Sequence, residues 1–385
     1  MHSFGKREAL AFIAARRELF DAAGKSNPFA GSEWMRHFIE HIASDDWTFV
    51  ASEYGDESAM LLYSRPDAPD RYTSVTNFDA ALYSPLIGTA QERGRALNGL
   101  VRRIVTSHPQ CEAINFAPLD AEHPDTAALT RAFVGCGWHI KRYVCFGNWY
   151  LPCAGMSFEQ YLAHLDAPLY NTCAVKSKRF RAGEEGARIE IAIDPAEVDA
   201  GMKAYQRICD RNRKKPEPYP DFIHGWARIC ARNGWLRLGV AYIHNTPIAA
   251  QFWFTQQQRA YIFKLAYDAS YARFSADMVL NAHMIQYSLE NDGVREIDYL
   301  AGDDSYKRAW LPYRRERIGL MMCNPRTMRG QLLAAHQLAS EARQYWLRTI
   351  RPANPIDSSM SPRAAQIFAM SDDSSPALSA PRVTA

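Results

Sequence analysis

The sequence predicts an α/β (α+β) protein of two tandem lobes, each a mixed, mostly antiparallel sheet flanked by helices, with a C-terminal helix and a disordered tail. Three observations carry that expectation. The 385-residue chain is long enough for about two domains. Its halves repeat one order of helix-like and strand-like segments. Each half also steps from helix into strand through Gly-Trp, at Gly137-Trp138 and Gly234-Trp235. The expected units are 1–150 (a degenerate first lobe), 151–350 (a second lobe) and 351–385 (the tail).

In the first half, apolar spacing places helices over 10–20 and 34–42, and extended segments over 47–51 and 59–63. A helix over 91–105 precedes a buried strand at 113–116. A helix over 126–133 ends at Gly135-Cys136-Gly137, and 138–150 reads as strand. In the second half, 188–193 alternates as a strand does. Asp194-Pro195-Ala196-Glu197 predicts a helix start, with a cap, a proline in the first turn and a glutamate three residues on. Val198, Met202, Tyr205 and Cys209 then share one helical face. A helix over 221–231 stops at Asn233-Gly234.

Strands over 236–243, 248–254 and 260–265, separated by short breaks, predict an antiparallel meander. A helix from Asp277 buries Met278, Ala282, Ile285 and Leu289. A strand over 296–300, a short helix over 305–310, a strand over 315–322 and a helix from 328 to about 350 complete the fold. From Arg351 the chain is rich in Ser, Pro and Ala without periodicity, which predicts disorder.

Composition excludes several classes. Hydrophobic residues at 47% and charged residues at 23% suit an ordinary globular core. A net charge of +3, from 45 basic and 42 acidic residues, lacks the basic excess of a nucleic-acid binder, so no DNA partner is expected. No stretch approaches the ~20 apolar residues of a membrane span. The first 17 residues read as an amphipathic helix rather than a signal peptide. The eight cysteines form no CxxC pair and read as reduced core thiols. A cytoplasmic location is expected. No metal site is expected, and His224 and His283 read as surface or satisfied core residues. There is no GxSxG, Walker loop or dinucleotide fingerprint.

The order of three strands, loop, helix, short strand and small helix is that of a GNAT core. Pro247-Ile248-Ala249-Ala250-Gln251, Lys264-Leu265-Ala266-Tyr267-Asp268 and Asp298-Tyr299-Leu300-Ala301-Gly302-Asp303-Asp304-Ser305-Tyr306-Lys307 resemble the cellulose-biosynthesis-type (CelD-like) acetyltransferases. These are relatives of the FemAB peptidoglycan aminoacyltransferases within the GNAT superfamily. The resemblance spans 155–325, including Asn171-Thr172, Lys176, Lys178, Arg179 and Arg314-Arg315-Glu316-Arg317. It reaches 1–150 only in outline. Fem-like proteins commonly contain two GNAT-like lobes.

The resemblance implies an N-acyltransferase whose strands at 260–265 and 296–300 splay around the pantetheine arm of acyl-CoA, acetyl-CoA first among donors. The pyrophosphate would rest on amides at the next helix start, where the dipole favours anions. Lys264, Tyr267, Arg273, Ser275 and Lys307 are the donor-binding candidates. Relatives carry Ser-Pro-Gly at that start, whereas this chain has Ser275-Ala276-Asp277, losing a close-approach glycine and gaining a carboxylate.

An amine attacking a thioester needs a base, oxyanion donors and an acid for the thiolate. Tyr306 is the candidate acid. Asp298, between Ile297 and Tyr299, either lines the site or pairs with a cation such as Lys264 or Lys307. Asp303 and Asp304 flank a helix start that at least one of them caps, and Asp304 is kept as a catalytic candidate. Glu217, between Pro216 and Pro218, is a candidate general base. Basic groups at 176–181, 211–215 and 314–317 suit CoA phosphates, a carrier surface, an acidic acceptor or plain solvation. The expected acceptor is a small-molecule or glycan amine, such as an amino sugar or polysaccharide precursor, with peripheral association to envelope assembly machinery. Two alternatives stay open: a Fem-like transferase using aminoacyl-tRNA or acyl carrier protein, and a non-catalytic scaffold.

Overall fold

The computed structural model describes residues 3–211 and 218–336. The first half runs β1 (Ser3–Phe4), α1 (Lys6–Ala15), α2 (Arg17–Gly24), α3 (Ser32–His41), β2 (Thr48–Glu53), β3 (Ser58–Arg65), β4 (Ala68–Ser74), β5 (Ile87–Gly88), α4 (Arg93–Ser107), β6 (Ala113–Asp120), α5 (Pro124–Gly135) and β7 (His139–Pro152). Helices α6 (Phe158–Leu162) and α7 (Ala167–Arg181) lead on. The second half follows with β8 (Ala187–Ala192), α8 (Val198–Arg211), α9 (Pro220–Arg232), β9 (Leu236–Ile243), β10 (Thr246–Gln256), β11 (Arg259–Tyr267), α10 (Ala276–Glu290), β12 (Glu296–Asp298), α11 (Ser305–Trp310) and β13 (Tyr313–Cys323).

One sheet joins both lobes in the order β1-β2-β3-β4-β6-β13-β7-β12-β11-β10-β9-β8, with β5 added beside β3. The halves interlock: β13, from the second, lies between β6 and β7, and β7 lies between β13 and β12. The order reads the same from either end about the antiparallel β7–β13 pair. Each half contains one parallel pair, β4 with β6 and β11 with β12. These are the tandem lobes expected from the repeated order of elements.

Helices cover both faces of the sheet, so β3 and β10 are buried almost throughout. On one face, α1–α3 of the first half share a continuous core with α8 and α9 of the second. Trp34 centres it, with Phe29 and Trp226 each 4.8 Å away in edge-on contact. On the other face, α4 and α5 cover the first half and α6, α7 and α10 the second. No helix among the described residues is long and apolar enough to cross a membrane.

Several expectations change. The helix over 10–20 is broken at Arg16, whose backbone leaves the helical region so that Ile13 before it and Phe20 after it both reach the core. Asp194 does not open a helix. Glu197 instead accepts from the Ile193 and Asp194 amides at 3.0 and 3.3 Å, and α8 begins at Val198. Strand β4 was not foreseen, because Ala-Pro-Asp-Arg-Tyr-Thr-Ser is too polar to suggest one. The strand expected over 296–300 ends at Asp298. A helix does begin at residue 328; its expected extension to 350 and the tail lie outside the described residues.

The junction of the halves makes stability depend on pH. His37 on α3 is buried, and its Nε2 lies 2.7 Å from the Phe222 carbonyl on α9. Its pKa is pushed down to about 4, first by burial. The unfolded chain binds a proton near pH 6.5 that the folded protein refuses until about pH 4. This contribution is therefore complete above pH 6.5 and is lost as pH falls toward 4, about 1.4 kcal/mol being gone by pH 5.5. Urea midpoints measured across that window should fall with pH, and His37→Gln should flatten the slope. An unchanged slope would assign it to other groups.

Candidate active site

Strands β11 and β12 pair at only three positions: Arg259 with Glu296, Ala260 with Ile297 and Tyr261 with Asp298. Beyond them β11 continues to Tyr267, while the other chain stays with β7 through Tyr299 N–H to Trp149 C=O at 2.9 Å. The strands therefore part. Leu300, buried at the split, has a φ of 59°, a conformation a bulky residue rarely adopts. Across the gap, the β10–β11 register slips at Phe263, which leaves an extra residue in β11.

Asp298 holds the bend. Its Oδ1 accepts from the Leu300 amide at 2.6 Å, an Asx-type turn, and from Asn148 Nδ2 at 2.5 Å. Its Oδ2 accepts from Arg315, which also reaches Glu296 at 2.8 Å and Asn148 Oδ1 at 2.6 Å. Burial pushes the Arg315 pKa down, but Asp298 and Glu296 outweigh it and hold the guanidinium above its ordinary value. The cation that pairs with Asp298 is thus Arg315, rather than Lys264 or Lys307. With its oxygens committed to donors, this carboxylate fixes geometry and is poorly placed to accept a substrate proton.

The first half lacks such an opening. Strands β4 and β6 also pair at three positions, but side chains then stitch them together. Ser74 Oγ and Thr76 Oγ1 donate to the Ala117 carbonyl at 2.7 and 2.8 Å, and the Ala117 amide donates back to Ser74 at 3.1 Å.

Tyr306 lies on α11, on the opposite sheet face from Asp298. Its ring is 6.5 Å from that of Tyr299 and 6.1 Å from that of Trp310. Burial first and the Asp277 charge second push the Tyr306 pKa well above its ordinary value. The hydroxyl therefore keeps its proton through the working pH range. Side chains alternate along the short strand, so Asp298 and Leu300 face one side of the split and Tyr299, beside Tyr306, the other.

Residues 171–308 match the family model described as an acetyltransferase (GNAT) domain. The second half is a GNAT-like lobe. The two-lobed chain resembles FemX, with a TM-score of 0.57 and 12% identity over 84% of this chain and 96% of that one. It also resembles the C-terminal domain (DUF2156) of a putative lysylphosphatidylglycerol synthetase from Agrobacterium fabrum, with a TM-score of 0.51 and 12% identity over 83% of this chain and 95% of that one. L-PGS from Bacillus licheniformis gives 0.51 and 12% over 83% and 96%. At such identities the likeness establishes the fold. No curated protein sequence matches the chain.

The α10 N-terminus is where a GNAT donor's pyrophosphate was expected, and a carboxylate already serves it. Ser275 caps through its backbone in the left-handed region (φ 49°), with no side-chain bond. Asp277 lies in the first turn, where burial raises its pKa against the opposing effect of the Met278 and Asp277 amides. Arg273 pairs with Glu185 at 3.0 Å, and Lys176 donates to the Arg273 carbonyl at 2.8 Å. A pyrophosphate would have to displace Asp277 or meet it protonated.

The remaining candidates are spread around the β11–β12 gap. Lys264 pairs with Asp79 of the first half at 2.8 Å, tying β11 to the loop that precedes β5. Tyr267 is exposed at the end of β11. Lys307 folds over the bend, donates to the Ala301 carbonyl and lies 3.5 Å from Asp304. A Cβ at Gly302 would sit 2.2 Å from its ammonium, and Gly302 has a φ of 113°, so glycine is required there. Asp304 caps α11, accepting from the Lys307 amide at 3.0 Å, and Asp303 forms a two-pronged pair with Arg314. Glu217 lies outside the described residues.

Two features escaped the sequence reading. His37, Glu40 and His41 bring potential metal-ligand atoms within 4.8 Å of one another, and the His-x-x-Glu-His spacing was the available signal. His37 Nε2 already meets the Phe222 carbonyl and Glu40 lies 3.7 Å from Arg36, so this cluster has a structural use in the α3–α9 contact. The second is a cavity of about 360 Å³ at the lobe junction, lined by Asp298, Leu300, Tyr261, Asn148, Arg315 and Arg317 among others. It lies on the face of the split opposite Tyr306, and its residues are too scattered in sequence to form a motif.

Proposed function

We propose that the protein is a GNAT-type N-acyltransferase in which the β11–β12 gap holds the thioester arm of an acyl-CoA and the junction cavity receives the amine. The observation that carries this reading is the held-open split: three paired positions, then a buried Leu300 with positive φ fixed by Asp298. The strain of such a bend, of order 1–3 kcal/mol, persists only where surrounding contacts impose it, and such bends gather at functional sites.

In the reaction the amine nitrogen attacks the thioester carbon and a C–N bond forms. The carbonyl oxygen takes the electron pair and returns it as the C–S bond breaks. Tyr306 gives its proton to the departing thiolate, and the nitrogen loses a proton to a base or solvent. Oxyanion donors would come from backbone amides of the β11 edge beside the register slip at Phe263. An amino sugar or envelope-polysaccharide precursor is the acceptor favoured by the CelD-like sequence resemblance, and a cytoplasmic enzyme working beside envelope assembly machinery fits that acceptor.

Calorimetry with acetyl-CoA, followed by mass spectrometry of amino sugars incubated with enzyme and donor, tests the reading. Acyl-CoA binding and acylated amine are expected. A chain that binds no thioester and modifies no amine would remove it. Asp277→Ser should tighten acyl-CoA binding about threefold or more by removing a charge from the pyrophosphate position, and wild-type affinity should rise as pH falls and Asp277 protonates.

Asp277 also favours a second reading, in which the donor sets no pyrophosphate on α10. An aminoacyl-tRNA or an acylated carrier protein would then deliver the acyl group, and Asp277→Ser would leave donor binding unchanged.

A further inference from the structure

We infer that the lobe-junction cavity is an anion site, and that the amine acceptor carries a phosphate or carboxylate which this site recognises; the second part rests on the acyl-transfer reading. Four arginines, Arg93, Arg259, Arg315 and Arg317, line the cavity with three aspartates, Asp120, Asp125 and Asp298. Three of the arginines are committed to carboxylates. Arg93 makes a two-pronged pair with Asp125, Arg315 is shared by Asp298 and Glu296, and Arg317 donates to Asp120 at 2.7 Å.

Two donors are left over. Arg317 is only 4% exposed, and with its terminal nitrogens on Asp120 and Asn148 Oδ1 (3.0 Å) its Nε has no partner. A buried donor without an acceptor carries an uncompensated desolvation penalty, which a ligand oxygen that meets it relieves. Arg259 reaches only the Ser26 carbonyl, at 3.4 Å, and the Tyr261 hydroxyl, with no carboxylate within ion-pair distance among the described residues.

The neighbourhood sharpens the demand. Burial and then the Arg315 charge push the Arg317 pKa down, although Asp298 and Asp120 oppose the shift. Arg317 and Arg259 both line the cavity, so an oxyanion that reached both would satisfy the left-over groups, and guanidinium donors suit phosphate and carboxylate alike. The volume falls at the small end of ligand sites, about 300–1,000 Å³, so the ligand is a small anion or a monosaccharide-sized one, and polymer chains enter only by an end.

The test uses the full chain and inorganic phosphate as first probe, titrated calorimetrically at fixed ionic strength. Binding is expected in wild type, with affinity at least fivefold weaker in Arg259→Gln and in Arg317→Lys. Arg259→Gln lies outside the buried network and decides the matter if Arg317→Lys does not fold. No phosphate binding, or equal binding in wild type and Arg259→Gln, overturns the anion site. The acceptor arm compares glucosamine, glucosamine 6-phosphate and glucosaminuronic acid with acetyl-CoA present. At least a tenfold higher kcat/KM for one charged sugar is expected, and which one identifies phosphate or carboxylate. Equal use of neutral and charged sugars overturns the acceptor assignment. Phosphate binding that the variants lose, with no amine acylated by any thioester, leaves the anion site standing and removes the acyl-transfer reading instead.

Discussion

Asp298→Ala is expected to destabilise the protein by about 3–4 kcal/mol and to abolish acyl transfer. Removing one partner of a buried ion pair costs about 3–5 kcal/mol, because the other charge stays behind without compensation. Arg315 retains Glu296 at 2.8 Å, which sets the figure in the lower part of that range. The Leu300 amide and Asn148 Nδ2 lose an acceptor in the same step. With the turn released, the segment after β12 is free to relax onto β11. Urea unfolding followed by circular dichroism measures the loss. A change under 1 kcal/mol would mean that other contacts impose the bend. Asp298→Asn separates the two roles, since it keeps an oxygen for Leu300 and removes the charge facing Arg315.

Tyr306→Phe is expected to slow acyl transfer at least tenfold, about 1.4 kcal/mol of barrier, with donor affinity little altered. The ring packs against Trp310 and Tyr299, and phenylalanine preserves that packing. Only the proton donor is lost, so the effect belongs in kcat and not in folding. Burial and the Asp277 charge hold the tyrosine pKa well above its ordinary value, so its ionisation should produce no alkaline limb in the wild-type rate profile below pH 10. An unchanged rate in pre-steady-state acyl transfer would take Tyr306 out of the chemistry.

Periodicity and turn residues sufficed to read most elements, because apolar spacing, Asn233-Gly234 and the breaks around the β9–β11 meander are local signals. Strand β4 was not legible, since its pairing with β6 comes from tertiary contacts while its own residues are polar. The interlocked closing strands were hidden for the same reason: nothing in β13 states that its partners are β6 and β7, far earlier in the chain.

The candidate site was half legible. Tyr306 and the parting strands came with the GNAT resemblance, and alternation singled out Asp298 as an inward carboxylate. Its pairing with Arg315 and Asn148 joins three strands that sequence separates widely, so spacing offered no clue. The positive φ of Leu300 is equally silent in sequence, where glycine or asparagine would normally announce it. Asp277 was visible as a departure from Ser-Pro-Gly. That its carboxylate is buried in the first turn of α10 and acts on Tyr306 required coordinates.

A crystal structure with a non-reactive acetyl-CoA analogue tests the central claim most directly. The pantetheine arm is predicted to run between residues 262–267 of β11 and 299–302 beyond β12, with its sulfur within hydrogen-bond reach of the Tyr306 hydroxyl. An analogue bound elsewhere, or strands paired along their whole length with the ligand outside, would contradict the account.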